Sequence, residues 1–278
     1  MTGSTDPARL GAETEFAARE LGVPYPGFPE FLPGDEVRAG RYTVRFARSV
    51  ADLDQIQRLR FEVFNLELGE GLESAFQTGR DHDDLDPHFH HLLIATEPAG
   101  EVVGTYRLQT VEMAERSRGF YSAGEFDLGS LPKAFLRDSV EVGRACVARE
   151  HRNGRVLNLL WRGLASYLRK NRKRHLFGCC SLTSQDPALG LATFAFLERE
   201  GHVDPELRAG PLPGFECSTQ GSIEAIPVHI PPLFQSYLNL GAKALGPPAL
   251  DRQFKTIDFL VALDVTRLDA SSYRFFFR

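Results

Sequence analysis

Hydrophobic residues along the chain recur at two spacings, and these spacings predict where strands and helices lie. Residues 42–46 alternate between apolar and polar side chains, as in a half-buried strand. Residues 50–68 follow with helical spacing, and Ser49 and Asp52 form a capping pair in front of them. The folded region therefore is predicted to open with a strand and a helix.

Later segments repeat this alternation of element types. Five apolar or alternating segments predict strands at 91–96, 101–111, 139–148, 176–182 and 256–265. An apolar stripe from Leu157 to Leu168 predicts a helix that lies on a sheet, and further helices are predicted over 186–200 and 232–242. The pattern is that of an α/β (α+β) chain without internal repeats.

The segments outside these elements define the expected organisation. Residues 1–40 are rich in proline and lack periodicity, which predicts an N-terminal arm. Residues 41–266 form the predicted domain, with a Gly- and Pro-rich loop over 201–222, and 267–278 form a tail.

Composition narrows the class of protein. The chain has 278 residues, 42% hydrophobic and 25% charged, which is enough for a sizeable core. It contains no apolar run of the roughly 18 residues that a membrane span needs and no signal segment, and its four cysteines form no paired Cys-x-x-Cys site. We predict a cytoplasmic protein.

Charge is distributed unevenly. The net charge is −5, yet the segment from Arg144 to Arg174 holds ten Lys or Arg against one acid, Glu150. Such a basic segment indicates an anionic partner, although a solvated helix face is the alternative. Nucleic acid is disfavoured, because interleaved aromatic residues and binding motifs are missing. The phosphates of coenzyme A or an acidic carrier protein fit better.

An acid and a base lie three residues apart inside an apolar run, at Glu141 and Arg144. An α-amine has a pKa of about 8, so a base must take its proton before the amine attacks an acyl group. Glu141 is the candidate base, directly or through a water. Arg144 would face the opposite side of a regular strand and reaches the same cleft only if the strand is bulged. The alternative is a structural ion pair.

The residues after this strand suit an acyl donor. The basic turn with Arg149, Arg152, Gly154 and Arg155 precedes the long helix, as in an anion-binding site. A backbone N–H near Cys146 or Val147 is the candidate oxyanion donor. Cys179 and Ser181 on the next strand are small and leave room for a pantetheine arm.

Three charged residues are candidates for the amine substrate. Arg107 ends a strand and suits a two-pronged hydrogen bond to a carboxylate, while Asp83 and Asp86 suit a cationic ammonium. Arg60 lies on the helix face toward that loop and is predicted to pair with these aspartates. The alternative for the aspartates is that they cap turns in a solvated loop.

Two other chemistries are disfavoured. The run 81–91 is rich in His and Asp, but it lacks the spacing of a calcium loop or a zinc helix, so no metal is predicted. A cysteine nucleophile at Cys146, Cys179 or Cys180 has no base or orienting group near it in sequence.

The ordered motifs Arg60-Phe-Glu-Val-Phe64, Asp83-Asp-Leu-Asp86, Gly104-Thr-Tyr-Arg107 and Glu141-Val-Gly-Arg144 resemble those of acyl-homoserine-lactone autoinducer synthases. This resemblance implies that Arg60 and Phe64 belong to the amine site. The chain departs from that family at Leu66-Glu-Leu-Gly-Glu70, where those enzymes carry a tryptophan beside S-adenosylmethionine.

A closer resemblance covers about residues 42–266. The segments Phe120–Phe126, Glu141–Val147 and Pro231–Ala242 are similar to ornithine-lipid-forming N-acyltransferases and long-chain N-acyl amino acid synthases of the GNAT superfamily. It implies a mixed, mostly antiparallel central sheet flanked by helices, with splayed strands that form the acyl-pantetheine cleft. It also implies transfer of a long acyl or 3-hydroxyacyl group from acyl-carrier protein to the α-amine of ornithine or a glycine-like amino acid, with no bound cofactor.

Three alternatives stay open at this point. Coenzyme A is the other donor, although the turn at 149–155 matches its usual binding sequence only in part. A lactone synthase would require S-adenosylmethionine, and a non-catalytic carrier-binding protein would make no product. Peripheral membrane contact is a further expectation, with Phe28, Phe31 and Phe275–Phe277 as weak candidates.

Overall fold

A single mixed sheet of nine strands organises the computed structural model, which describes residues 24–277. Its strands follow the order β1-β2-β3-β4-β5-β6-β9-β7, and β8 pairs with the N-terminal end of β9. All neighbours are antiparallel except β5 and β6. The strands are β1 (Val37–Ala39), β2 (Tyr42–Phe46), β3 (His90–Thr96), β4 (Val102–Thr110), β5 (Ser139–Val147), β6 (His175–Leu182), β7 (Lys243–Ala244), β8 (Ala249–Asp251) and β9 (Thr256–Asp264).

Helices cover both faces of this sheet. The helices are α1 (Val50–Arg60), α2 (Ala75–Thr78), α3 (Val111–Glu115), α4 (Lys133–Arg137), α5 (Gly154–Asn171), α6 (Pro187–Arg199), α7 (Pro232–Asn239) and α8 (Ala270–Phe277). A π-helical segment, Phe61–Glu67, continues α1. The predicted helix over 50–68 is therefore present, and it changes from α-helical to π-helical hydrogen bonding after Arg60. The capping pair is also present, because the Ser49 hydroxyl accepts from the Asp52 N–H at 3.1 Å.

Side chains alternate between the two faces as strand geometry requires. One face carries Leu92, Tyr106 and Val142 and packs under α5, whose apolar stripe is buried. The opposite face carries Arg107 and Glu141 and lies under α1 and the segment around residues 119–136. The mixed, mostly antiparallel sheet flanked by helices confirms the predicted fold class.

The ends of the described chain are part of this packing. Strand β1 pairs with β2, so the predicted arm boundary at residue 40 falls between two paired strands. Helix α8, in the predicted tail, places Phe276 against Trp161 of α5 with ring centroids 5.2 Å apart, while Phe275 is 53% exposed. Residues 1–23, the greater part of the predicted arm, and Arg278 lie outside the described residues. Between residues 24 and 277, no helix is both long and apolar enough to span a bilayer.

Candidate active site

Strands β5 and β6 form a fork at the centre of the sheet. Their parallel pairing covers only Ser139 to Glu141 on β5 and ends where Glu141 faces Phe177. Immediately beyond, the Val142 carbonyl lies so close to Gly178 that a Cβ there would be 2.0 Å from its oxygen. Glycine is therefore required at this position, and the two strands diverge after it.

The fork opens into a cavity of about 670 Å³. This volume is within the usual range for small-molecule sites. Ten of the residues predicted from the sequence as site residues lie on its wall: Phe64, Arg107, Glu141, Arg144, Cys146, Val147, Arg152, Gly154, Cys179 and Ser181. The other five, Arg60, Asp83, Asp86, Arg149 and Arg155, do not line it.

The two sides of the cavity differ in chemistry. On the α5 side, the hydroxyl groups of Tyr106 and Tyr237 form a hydrogen bond with each other. Leu160, Phe234 and Val261 surround these two residues. This side is apolar apart from the two phenols. On the α1 side, the wall carries Arg107, Glu141, Arg144 and Asp258. The cavity thus joins an apolar chamber to a charged one through the fork.

A bulge in β5 turns Arg144 toward the charged chamber. Gly143 faces Arg107 and Cys146 faces Thr105, so two residues of β5 oppose one residue of β4. Arg144 accordingly has a φ of 48°, in the left-handed region. In a regular strand Glu141 and Arg144 would face opposite sides of the sheet. Because of the bulge, both side chains line the same cavity.

Aromatic rings hold the Arg144 guanidinium in place. Its central carbon lies 4.2 Å from the ring centroid of Phe64 and 4.8 Å from that of Phe254, and Asp81 forms an ion pair with it. The Nε–H of Arg144 is buried and has no hydrogen-bond partner among the described residues. One donor of this cation is thus available to a ligand.

Glu141 is 3% exposed and accepts four hydrogen bonds. Oε1 accepts from the Ser122 N–H at 2.8 Å and the Ser122 hydroxyl at 2.6 Å, while Oε2 accepts from Gln109 at 2.7 Å and the Tyr121 N–H at 3.0 Å. A carboxylate offers about four acceptor positions, so all of them are occupied. Glu141 would therefore have to give up a hydrogen bond before it accepted a proton.

Behind the wall lies a buried ion-pair network. Arg60 contacts Asp81 at 2.6 Å and Asp86 at 2.8 Å, and Arg107 contacts Asp83 at 2.6 Å and Asp86 at 3.0 Å. The expected pairing of Arg60 with Asp86 is present, but its second partner is Asp81 and not Asp83. Asp83 and Asp86, predicted to bind an ammonium, are instead occupied by arginines and do not reach the cavity. Their physical role is to neutralise and orient Arg60 and Arg107.

The pKa values of this network follow from its charges. Burial alone would raise the pKa of Asp81, but the charges of Arg60 and Arg144 hold it below its usual value. Burial likewise opposes ionisation of Asp86, and Arg60, His91 and Arg107 together hold its pKa well below the usual range. The carboxylates therefore stay charged at neutral pH. Arg107 donates to Asp83 and Asp86 through its Nη1 atom.

Three further acids belong to the charged chamber, and the sequence reasoning did not single them out. Glu70 and Asp258 line the cavity, and Glu125 lies beside Asp258. Burial raises the pKa of Glu70, whose Oε1 accepts from the Thr183 hydroxyl. Asp258 was visible as the one charge inside the apolar strand β9, whose other aspartate, Asp264, is its last residue. Glu70 and Glu125 had no such signal, because both lie in irregular segments.

The cysteines behave as structural thiols. Burial raises the pKa of Cys146 to about 12 and also raises those of Cys179 and Cys180. A thiolate is needed for nucleophilic attack, so these values disfavour a cysteine nucleophile.

At the mouth of the cavity, α5 points its N-terminus toward the fork. The Asn153 side chain caps it by accepting from the N–H groups of Arg155 and Val156, each at 3.1 Å. Arg152 donates to the Val147 carbonyl at 3.0 Å and pairs with Glu67 at 2.6 Å. A helix N-terminus beside arginines favours an anionic group in general, and anion binding at the turn 149–155 stays a prediction.

Comparison with known proteins is consistent with this geometry. Residues 59–162 match the family model described as "Acetyltransferase (GNAT) domain". An L-ornithine N(alpha)-acyltransferase of Brucella abortus is 35% identical over 84% of this chain and 88% of its own length. Enzymes of the same description from Agrobacterium fabrum and Rhizobium meliloti are each 32% identical over 83% of this chain, and over 83% and 82% of their own lengths.

The relatives, together with the matched domain, show an N-acyltransferase of the GNAT class. Within that class, the chain belongs to the family of the L-ornithine N(alpha)-acyltransferases.

Proposed function

We propose that this enzyme transfers a long acyl or 3-hydroxyacyl group from the phosphopantetheine thioester of an acyl-carrier protein to the α-amine of ornithine. The observation that carries the proposal is one continuous cavity that runs through the fork, with an apolar chamber on the α5 side and a charged chamber on the α1 side. The names of the relatives support ornithine as the acceptor. The product is an N-acyl amino acid of the lyso-ornithine-lipid type.

The acyl donor is assigned to the mouth and the apolar chamber. The phosphate of the pantetheine arm lies at the N-terminus of α5, where Gly154 lines the cavity. The acyl chain extends toward Leu160 and Phe234, whose side chains gain from contact with methylene groups. The exposed side chains of Arg149 and Arg155 flank the mouth and supply positive charge for an acidic carrier.

The amino acid is assigned to the charged chamber. Its α-carboxylate lies between Arg107 and Arg144, because both cations line the wall and Arg144 keeps an unpartnered Nε–H. The α-nitrogen then attacks the thioester carbonyl, a C–N bond forms, and the C–S bond breaks with the thiolate as leaving group. A backbone N–H near Cys146 or Val147, on the side of β5 without a strand partner, holds the oxyanion.

Glu141 stays the sequence-predicted base for the amine proton, supported by its place at the fork. Glu70 is the second candidate, because it also lines the cavity and burial raises its pKa toward the working range of a base. The two differ in their partners, since Glu141 accepts four hydrogen bonds and Glu70 accepts one, from Thr183.

A product assay tests the function. Purified enzyme is incubated with 3-hydroxyacyl-carrier protein or acyl-coenzyme A, and with ornithine, glycine or S-adenosylmethionine, and products are identified by mass spectrometry. N-acylornithine formed faster from the carrier confirms the proposal. A lactone formed from S-adenosylmethionine, or faster turnover with coenzyme A, would overturn the acceptor or the donor assignment respectively.

Matched amide variants identify the base. The true base, changed from Glu to Gln, should lower kcat by about 100-fold or more and remove the acidic limb of the pH–rate profile. Glu70→Gln and Glu141→Gln are compared directly, with folding checked by thermal denaturation. If only Glu70→Gln lost the acidic limb, Glu141 would be rejected as the base. The role of Glu141 would then be structural, through its hydrogen bonds to residues 121 and 122.

The prediction of peripheral membrane contact is retained as part of this proposal, because the product carries a long chain. In the described part of the chain, Phe275 offers an exposed ring, whereas Phe28 is half-buried against Arg116.

A further inference from the structure

A pair of buried acids at the charged chamber has no counter-charge. Asp258 is the third residue of β9, opposite Ser181 of β6, and lines the cavity. Glu125 follows the short helical turn Tyr121–Gly124 and reaches the same place. A carboxylate oxygen of Glu125, a carboxylate oxygen of Asp258 and the Sγ atom of Cys179 lie within 4.8 Å of one another.

Both acids are buried and incompletely bonded. Asp258 is 3% exposed and Glu125 is 5% exposed. When both acids are ionised, the Oδ1 atom of Asp258 and the Oε2 atom of Glu125 accept no hydrogen bond among residues 24–277. The two carboxyl groups are close enough to share one proton, which a bound cation would replace. No salt bridge within the described chain involves either acid.

Unpartnered buried acceptors are costly and uncommon in folded proteins. Other buried carboxylates on this side of the sheet are fully matched, as Asp81 and Asp86 are by arginines and Glu141 is by four donors. The acidic pair therefore differs from its surroundings. Because Asp258 lines the cavity and Glu125 lies directly behind it, a ligand can supply the missing donors.

The chemistry of that ligand follows from the acceptors. Carboxylate and hydroxyl oxygens converge at the pair, and an ammonium group offers three donors and no acceptor. Arg107 and Arg144 line the same chamber and suit the α-carboxylate. A chamber with cations at one place and unpaired acids at another matches an amino acid that carries both an α-carboxylate and a side-chain ammonium.

We propose that Asp258 and Glu125 form the subsite for the side-chain ammonium of the acceptor amino acid, and so select cationic over neutral acceptors. This inference rests on the proposed function. It assigns the discrimination to residues outside the sequence-predicted set, and it leaves Asp83 and Asp86 in the arginine network.

Selectivity between two acceptors of equal carbon number tests the subsite. L-Norvaline has the carbon chain of ornithine without the terminal amine, so the ratio of kcat/KM for ornithine over norvaline isolates the ammonium contact. Asp258→Asn is expected to lower this ratio by about 100-fold, and Glu125→Gln by about 10-fold or more, since removing one partner of a buried charge pair has effects of this order. Asp84→Asn, an exposed change of the same charge, is the control and should leave the ratio unchanged.

Binding to the protein gives an independent readout. Ornithine should raise the melting temperature of the wild type more than norvaline does, and Asp258→Asn should remove this difference. An unchanged ornithine preference in both variants would overturn the subsite while leaving the proposed function in place. A wild type that acylates neither amino acid would overturn the proposed function and this subsite with it. Activity lost on chelation and restored by Zn²⁺ would show that the acids and Cys179 hold a metal instead.

Discussion

Two groups of buried acids lie on the same side of the sheet, and they differ in what faces them. Asp81 and Asp86, with the partly exposed Asp83 beside them, meet the guanidinium groups of Arg60, Arg107 and Arg144. Glu125 and Asp258, on the other side of the charged chamber, face each other and meet no cation in the described chain. We call these the paired acids and the unpaired acids.

The pKa values of the two groups move in opposite directions. The arginines keep those of Asp81 and Asp86 low despite burial. Burial raises the pKa of Asp258, and burial together with Asp258 and Asp251 raises that of Glu125 to about 10. Similar burial thus accompanies opposite pKa shifts, and the presence or absence of neighbouring cations accounts for the difference. The paired acids stabilise the fold, whereas the unpaired acids are available to a ligand.

The largest expected effect comes from breaking the paired acids. Arg60→Leu should lower the free energy of unfolding by about 3–5 kcal/mol, because it leaves Asp86 and Asp81 short of a buried counter-charge. Urea denaturation followed by circular dichroism measures the loss. A variant as stable as the wild type would mean that the network is replaceable and that its aspartates are free for another role.

Because of the unpaired acids, the free energy of unfolding should fall as pH rises. Glu125 has a pKa of about 10 in the folded protein against about 4.3 when unfolded, so the folded state holds the extra proton between these values. Stability contributed by that proton is present below the unfolded pKa and is lost toward the folded one. The limiting slope is about 1.4 kcal/mol per pH unit, or about 2–3 kcal/mol between pH 6 and 8.

Denaturation at several pH values checks this slope. Glu125→Gln should flatten it, since the amide does not titrate. The paired acids contribute in a separate range, because a depressed folded pKa gives stability that is lost only as pH falls below about 3.9. An equal slope in wild type and Glu125→Gln between pH 6 and 8 would assign the titration to another group.

How far the sequence predicted this site depends on the kind of signal each residue left. Glu141 and Arg107 stand in strands that the sequence predicted, whereas their shared face of the sheet depends on the register between β4 and β5. The bulge at Arg144 had no local signal, because a non-glycine residue at positive φ is held there by tertiary contacts with Phe64, Phe254 and Asp81. Strand periodicity does not reveal such contacts.

The unpaired acids show the same limit more strongly. Asp258 and Glu125 are 133 residues apart in the chain and meet only because β9 pairs with β6 beside the Tyr121–Gly124 turn. Conversely, Asp83 and Asp86 were expected to bind substrate because their motif is acidic, but neighbours distant in sequence neutralise them. Sequence spacing predicts elements and faces, whereas the pairing of charges depends on long-range topology.

The smallest expected effect comes from an ion pair at the surface, and it separates burial from pairing as the source of stability. Arg58 pairs with Asp54 at 2.8 Å, one helical turn away on α1, with 51% of its side chain exposed. Arg58→Leu should change the free energy of unfolding by less than about 0.5 kcal/mol, since water screens the pair and Asp54 keeps Arg80 as a second partner. Arg58 and Arg60 lie two residues apart on one helix, so propensity and length of the helix are matched in the comparison with Arg60→Leu. A loss of several kcal/mol at both positions would show that charge on α1 matters irrespective of burial, and the contrast between paired and unpaired acids would then need another explanation.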